Sequence, residues 1–176
     1  AYGIPVNQGW VARLQNRLTE ENYPYHIVNA SISGDTTASA RARLEQTITR
    51  HQPDIVVLEL GGNDGLRGLS LSAMKENLAA MITTARQYDA AVLLIGVELP
   101  PNYGPLYTEK FRAVFRDLAS EHQVPLLPSL VDGVGTNSEL MQADGIHPNE
   151  DAQPLIAARV REHLLPLLEQ DTEAAD

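Results

Sequence analysis

Two apolar runs constrain this chain more than any other feature. Asp54-Ile55-Val56-Val57-Leu58-Glu59-Leu60 is mostly apolar and β-branched, and Ala91 to Val97 is a second run of the same kind. Continuous runs, as opposed to alternating ones, suit strands covered on both faces, as in a parallel sheet. Around them the apolar residues recur at helical spacing. Trp10, Leu14 and Leu18 predict a helix over about 7–21, and Leu44 and Ile48 one that Asp35 can cap and that ends before Pro53. Met74, Leu78, Met81, Ile82 and Ala85 predict a helix at about 72–88, and Phe111, Val114, Phe115 and Leu118 one at about 106–122. Tyr25 to Ala30 and Val124 to Leu127 are short β-type runs, and a last helix is expected at about 151–168 after an irregular stretch, 129–150.

Strands spaced by helices make a doubly wound α/β protein with a parallel sheet. Sites in such sheets lie beyond the C-terminal ends of the strands. Loops 31–35, 61–68 and 128–150 leave those ends and are where chemistry is expected.

Composition narrows the function. The chain has 176 residues, room for one domain, expected here over 1–168 with an acidic, solvated tail at 169–176. Its formal charge of −10 offers no basic stripe for nucleic acid. No run has the length of a membrane span, and no signal peptide is visible. Without cysteine there is no disulfide, zinc–thiolate site or cysteine nucleophile.

Three loop motifs carry possible chemistry. In Asp144-Gly145-Ile146-His147-Pro148-Asn149 a carboxylate precedes an imidazole by three residues, so Asp144 can accept from His147 Nδ1 and leave Nε2 as a general base. The plainer alternative is a turn in which both residues bond only to backbone; a metal site would need a third ligand cluster that is not nearby. Leu60-Gly61-Gly62-Asn63-Asp64-Gly65 follows a buried strand, and the Asn63 amide could face a developing oxyanion; alternatively this is a glycine-rich turn. It fits neither the Walker nor the dinucleotide pattern. In Asn29-Ala30-Ser31-Ile32-Ser33-Gly34-Asp35-Thr36, the Gly34 N–H is a second candidate donor near a helix N-terminus. Ser31 and Ser33 lack the Gly-flanked elbow of a nucleophile and read as turn residues. His26, His51, His122 and His163 have no visible partner and read as non-catalytic.

Taken in order, Ser33-Gly34-Asp35-Thr36, Gly61-Gly62-Asn63-Asp64 and Asp144-Gly145-Ile146-His147-Pro148 resemble the second, third and fifth sequence blocks of the SGNH, or GDSL, hydrolases. Gly65-Leu66-Arg67-Gly68, Leu99-Pro100-Pro101-Asn102-Tyr103-Gly104 and Val124-Pro125-Leu126-Leu127-Pro128 look like the bacterial multifunctional branch, which acts on acyl-CoA, aryl esters and lysophospholipids. The family's first block, Gly-Asp-Ser-Leu, is absent. Ala1-Tyr2-Gly3 resembles the stretch that follows it, so the resemblance implies a nucleophilic serine upstream of Ala1, on a first, central strand also missing here.

The resemblance further implies a flavodoxin-like sheet and hydrolysis of esters or thioesters through an acyl-enzyme. Asp144 and His147 would complete the triad, and Gly34 and Asn63 the oxyanion hole. Leu66, Leu69, Pro101, Tyr103 and Leu106 could line an acyl groove, or merely pack beneath their loops. No metal or cofactor is needed. The partner would be a small acyl ester or thioester, the protein a monomer, and its location the periplasm or outside the cell. A carbohydrate acetylesterase of the same superfamily, or a non-catalytic binding domain, are the competing readings. The 176 residues alone are expected to be inactive, with the slot between 25–30 and 54–60 empty, disordered or filled from elsewhere.

Overall fold

The structure, a computed structural model, describes residues 2–175, the stretch 170–175 as helical backbone. Helix α1 (Trp10–Glu20) and helix α2 (Thr37–His51) come first, followed by strand β1 (Ile55–Glu59), a short helix α3 (Gly62–Leu66) and helix α4 (Leu71–Gln87). Strand β2 (Ala91–Ile95), helix α5 (Pro105–His122), strand β3 (Leu126–Leu127) and helix α6 (Gln153–Ala175) complete it, with 3₁₀ turns at Pro101–Tyr103 and Ser138–Leu140. The chain belongs to the α/β class.

The sheet is parallel, in the order β1-β2-β3, with Ile55 opposite Ala91 and Leu94 opposite Leu126. Strand β2 explains why its sequence is apolar without alternation. Val92 and Leu94 point into a core built with α2, α4 and α5, while Leu93 and Ile95 point into a second core with α1 and α6. A central strand with a core on each face has no polar side to show.

Strand β1 has the same composition and a different environment. Only β2 pairs with it among the described residues. Ile55 and Val56 are half-buried and Val57 is 36% exposed, so this strand is not covered on both faces as its sequence predicts. Unlike β2, it lies at the edge of the sheet. The run Tyr25 to Ala30 is a second departure: it is not a strand in the structure. With no strand beside it, side chains hold it instead. Gln15 accepts from the Ile27 N–H at 2.6 Å and donates to the Tyr25 carbonyl at 3.1 Å.

Two boundaries also differ from expectation. Thr36, not Asp35, caps α2: its hydroxyl accepts from the Ser39 N–H, and Ser39 Oγ accepts from the Thr36 N–H, a reciprocal capping box. Helix α6 continues past Leu168 to Ala175. The stretch read as an acidic tail, 169–176, begins on this helix; Asp176, like Ala1, lies outside the described residues. No described helix is long and apolar enough to cross a membrane.

Candidate active site

The loop after β3 folds back on itself as a small hairpin. Met141 bridges Pro148, and the Gln142 N–H donates to the His147 carbonyl at 2.7 Å. Asn149 secures its exit: its amide donates to the Glu139 carbonyl, and its Oδ1 accepts from the Asp151 and Ala152 N–H groups ahead of α6. Gln153, 1% exposed, then donates to the Asn149 carbonyl and accepts from the Trp10 N–H, tying the hairpin to the start of α1.

At the hairpin tip Asp144 accepts three hydrogen bonds. They come from the His147 Nδ1 at 2.8 Å, the His147 N–H at 3.0 Å and the Ile146 N–H at 2.9 Å. The backbone bond from His147, then its ring bond, then that from Ile146 hold the Asp144 carboxyl at about 2. A carboxylate in that state only accepts, so Nδ1 carries the imidazole hydrogen and Nε2 keeps its lone pair when the ring is neutral. The His147 and Asp144 side chains are 37% and 38% exposed, open enough for a substrate to reach them.

The other half of the site is built on loops leaving the 25–30 segment and β1. Gly34 has φ +86°, a left-handed conformation that a side chain would strain, and the space a Cβ would occupy is empty to 4 Å. At Gly61, φ is +109° and a Cβ would meet Met74 Sδ at 3.0 Å, so glycine answers both backbone and packing demands. This turn launches α3, which carries Asn63. The Asn63 amide donates to the Asp35 carbonyl at 3.0 Å, one residue beyond Gly34, and Arg67 donates to the Gly34 carbonyl at 3.1 Å. Only one hydrogen of the Asn63 amide is so engaged among the described residues. Asp35 itself is gripped by Arg43 at 2.7 Å. Burial works to raise its carboxyl, but the hydrogen bonds from Arg43 and Ser39 outweigh that and leave it below the usual range.

Gly34 with Asn63, and Asp144 with His147, therefore form two built halves. Gly34 and Asn63 lie on the loops that follow the 25–30 segment and β1, Asp144 and His147 on the long loop after β3, and no hydrogen bond or ion pair among the described residues joins the two halves. The apolar loop residues divide. Tyr103 and Leu106 line a shallow depression of about 320 Å³ with Gly104, Pro105, Tyr107 and Lys110. Leu66 packs on the core, and Leu69 and Pro101 are exposed outside that depression. Tyr103 and Tyr107 donate to the carbonyls of Leu66 and Gly65, fastening loop 99–107 to α3.

Sequence reasoning passed over Tyr2, whose ring lies 4.5 Å from that of His147, centroid to centroid, and whose carbonyl accepts from Gln142. No local pattern could reveal a contact between opposite ends of the chain. It also passed over the buried contact between Asp64 and Thr37. No group of three or more acidic or histidine side chains among the described residues could hold a metal ion.

Comparison with known proteins shows the family of the chain. Residues 1–154 match the GDSL-like Lipase/Acylhydrolase family, and the chain belongs to it. It is 50% identical over 168 residues to Esterase TesA of Pseudomonas aeruginosa, covering 96% of this chain and 84% of that one. It is 41% identical over 171 residues to thioesterase 1/protease 1/lysophospholipase L1 of Escherichia coli, covering 97% and 81%. A crystal structure of TesA superposes with a TM-score of 0.92 at 49% identity, covering 94% of this chain and 92% of that one.

Proposed function

We propose that this chain forms the body of a serine hydrolase that cleaves carboxylic esters and thioesters through an acyl-enzyme. The observation that carries the reading is the Asp144–His147 pair at 2.8 Å on a loop leaving the sheet, in a chain of an esterase family. A serine Oγ attacks the acyl carbonyl while His147 Nε2 takes its proton. The carbonyl oxygen becomes an anion held by the Gly34 N–H and the free hydrogen of the Asn63 amide. Collapse breaks the acyl–oxygen or acyl–sulfur bond, and His147 returns the proton to the leaving group. Water then repeats the sequence and frees the acid.

The serines in the chain lack a Gly-flanked strand-to-helix elbow. The open edge of β1 supplies the place for the nucleophile: a strand laid parallel along it would end at the same rim as both halves of the site. The 176 residues alone are accordingly expected to be inactive. Aryl and short- to medium-chain esters, acyl-CoA and lysophospholipid are the proposed substrates, with Tyr103, Leu106 and their neighbours receiving the acyl chain. Leu69 and Pro101 would border that path. A monomer exported to the periplasm completes the reading.

The test is covalent. The full-length protein is treated with a fluorophosphonate, and the labelled peptide is identified by mass spectrometry beside assays on p-nitrophenyl butyrate and decanoyl-CoA. Labelling of one serine, abolished by His147→Ala, is expected. Absence of both label and hydrolysis would overturn the assignment.

A further inference from the structure

Asp64 is 3% exposed and has no cation against it among the described residues, an arrangement that a carboxylate tolerates only when hydrogen bonds replace water. Both its oxygens are used, and on one residue: Oδ2 accepts from the Thr37 N–H at 2.9 Å and Oδ1 from the Thr37 hydroxyl at 2.6 Å. Thr37 is the first residue of the fifteen-residue α2, so the carboxylate also meets the positive end of a helix dipole. Asn77 of α4 donates to the same Thr37 hydroxyl at 3.2 Å and accepts from Arg41 at 3.1 Å, which fixes the threonine from behind.

The placement of this clamp matters more than its strength. Asp64 adjoins Asn63, and Thr37 follows Gly34 by three residues. The clamp therefore joins the two segments that carry the two candidate oxyanion donors. Two other hydrogen bonds cross that gap, from Asn63 to the Asp35 carbonyl and from Arg67 to the Gly34 carbonyl, the latter at the surface. Of the hydrogen bonds across that gap, only those of the clamp are fully buried. Oxyanion donors act by aim, and a misplacement of about 1 Å costs on the order of 10²-fold.

We infer that Asp64 is a positioning residue, which through Thr37 holds the Gly34 N–H and the Asn63 amide at a common focus. The inference rests on the oxyanion role proposed above for those two groups. A cap that served only the fold would be felt in melting temperature and not selectively in the transition state.

The experiment is a double-mutant cycle in the active protein, with p-nitrophenyl butyrate as substrate and butylboronic acid as a tetrahedral mimic. Asp64→Asn and Thr37→Val should each lower kcat about 10- to 100-fold with KM within about threefold, and weaken the boronic acid in parallel. Thr37→Ser, which keeps both donors, should restore the rate to within about twofold of wild type. In an Asn63→Ala background Asp64→Asn should cost clearly less than in the wild type, because one of the two donors it aligns is gone and only the Gly34 N–H is left to misplace. Equal losses in both backgrounds, or a change in melting temperature and KM alone, would overturn the inference. If Asp64→Asn does not fold, Thr37→Val carries the same comparison with the carboxylate intact. If instead Asn63→Ala keeps the wild-type rate, the oxyanion assignment itself has failed, and this inference falls with it; that outcome is told apart by the single Asn63 variant.

Discussion

At His147 the position of one hydrogen decides the chemistry. Asp144 holds it on Nδ1, so Nε2 is the atom that can accept a proton. His147→Ala is expected to lower kcat/KM by at least about 10³-fold, and Asp144→Asn by about 10²- to 10⁴-fold, since the amide admits the wrong tautomer. Steady-state hydrolysis of p-nitrophenyl butyrate measures both. The Asp144 carboxyl, held at about 2 against an ordinary 3.8, has its own pH signature. A group whose pKa is depressed by folding adds stability that is complete above its unfolded value and lost as pH falls through the folded one. The stability difference between wild type and Asp144→Asn in urea should therefore be constant above about pH 5 and shrink from 3.8 toward 2. Exposure of the pair to solvent keeps that difference small. For Asn63→Ala a fall in kcat of about 10²- to 10³-fold with little change in KM is expected, because in the proposed mechanism its amide serves an oxygen charged only in the transition state. A change confined to KM would make Asn63 a substrate-binding residue.

Among the elements, α3 is seated on the core through one of its glycines. A Cβ on Gly65 would fall 2.7 Å from both Leu99 and Phe111, inside the core under loop 99–107. Gly65→Ala should destabilise the protein by about 1–3 kcal/mol through overpacking, read from the urea midpoint at unchanged slope. The same substitution at an exposed helix position would stabilise, so the sign separates packing from propensity. Element by element, most of the fold was legible. The apolar spacing of 72–88 and 106–122 reappears as α4 and α5 within a residue at each end, because those helices bury the side that the spacing marks. The cap of α2 was misplaced by one residue, since Asp35 and Thr36 are both good cap residues and only the Arg43 contact settles which is free to cap. Helix α3 was read as loop, for two glycines and an asparagine carry no helical signal.

For the whole molecule, the open edge of β1 is the feature with consequences. Strand β2 is sealed between two cores, whereas β1 leaves half its peptide groups without a neighbouring strand. Unpaired edges exchange their amide hydrogens with solvent readily. If the nucleophile's strand lies along that edge, as proposed, the β1 amides not bonded to β2 should exchange fast in the 176-residue chain alone and slowly, like those of β2, in the full-length protein. Equal protection in both would mean that nothing is added along that edge. By itself the sequence determined the α/β class, the parallel strands and the two residue pairs to suspect, because burial periodicity and short turn spacing are local properties. Only the tertiary structure decided that Tyr25 to Ala30 forms no ladder, that Tyr2 lies on His147, and that a buried Asp64 joins the Gly34 and Asn63 loops. Each of those depends on which distant segment occupies the neighbouring space, and no pattern along the chain records that.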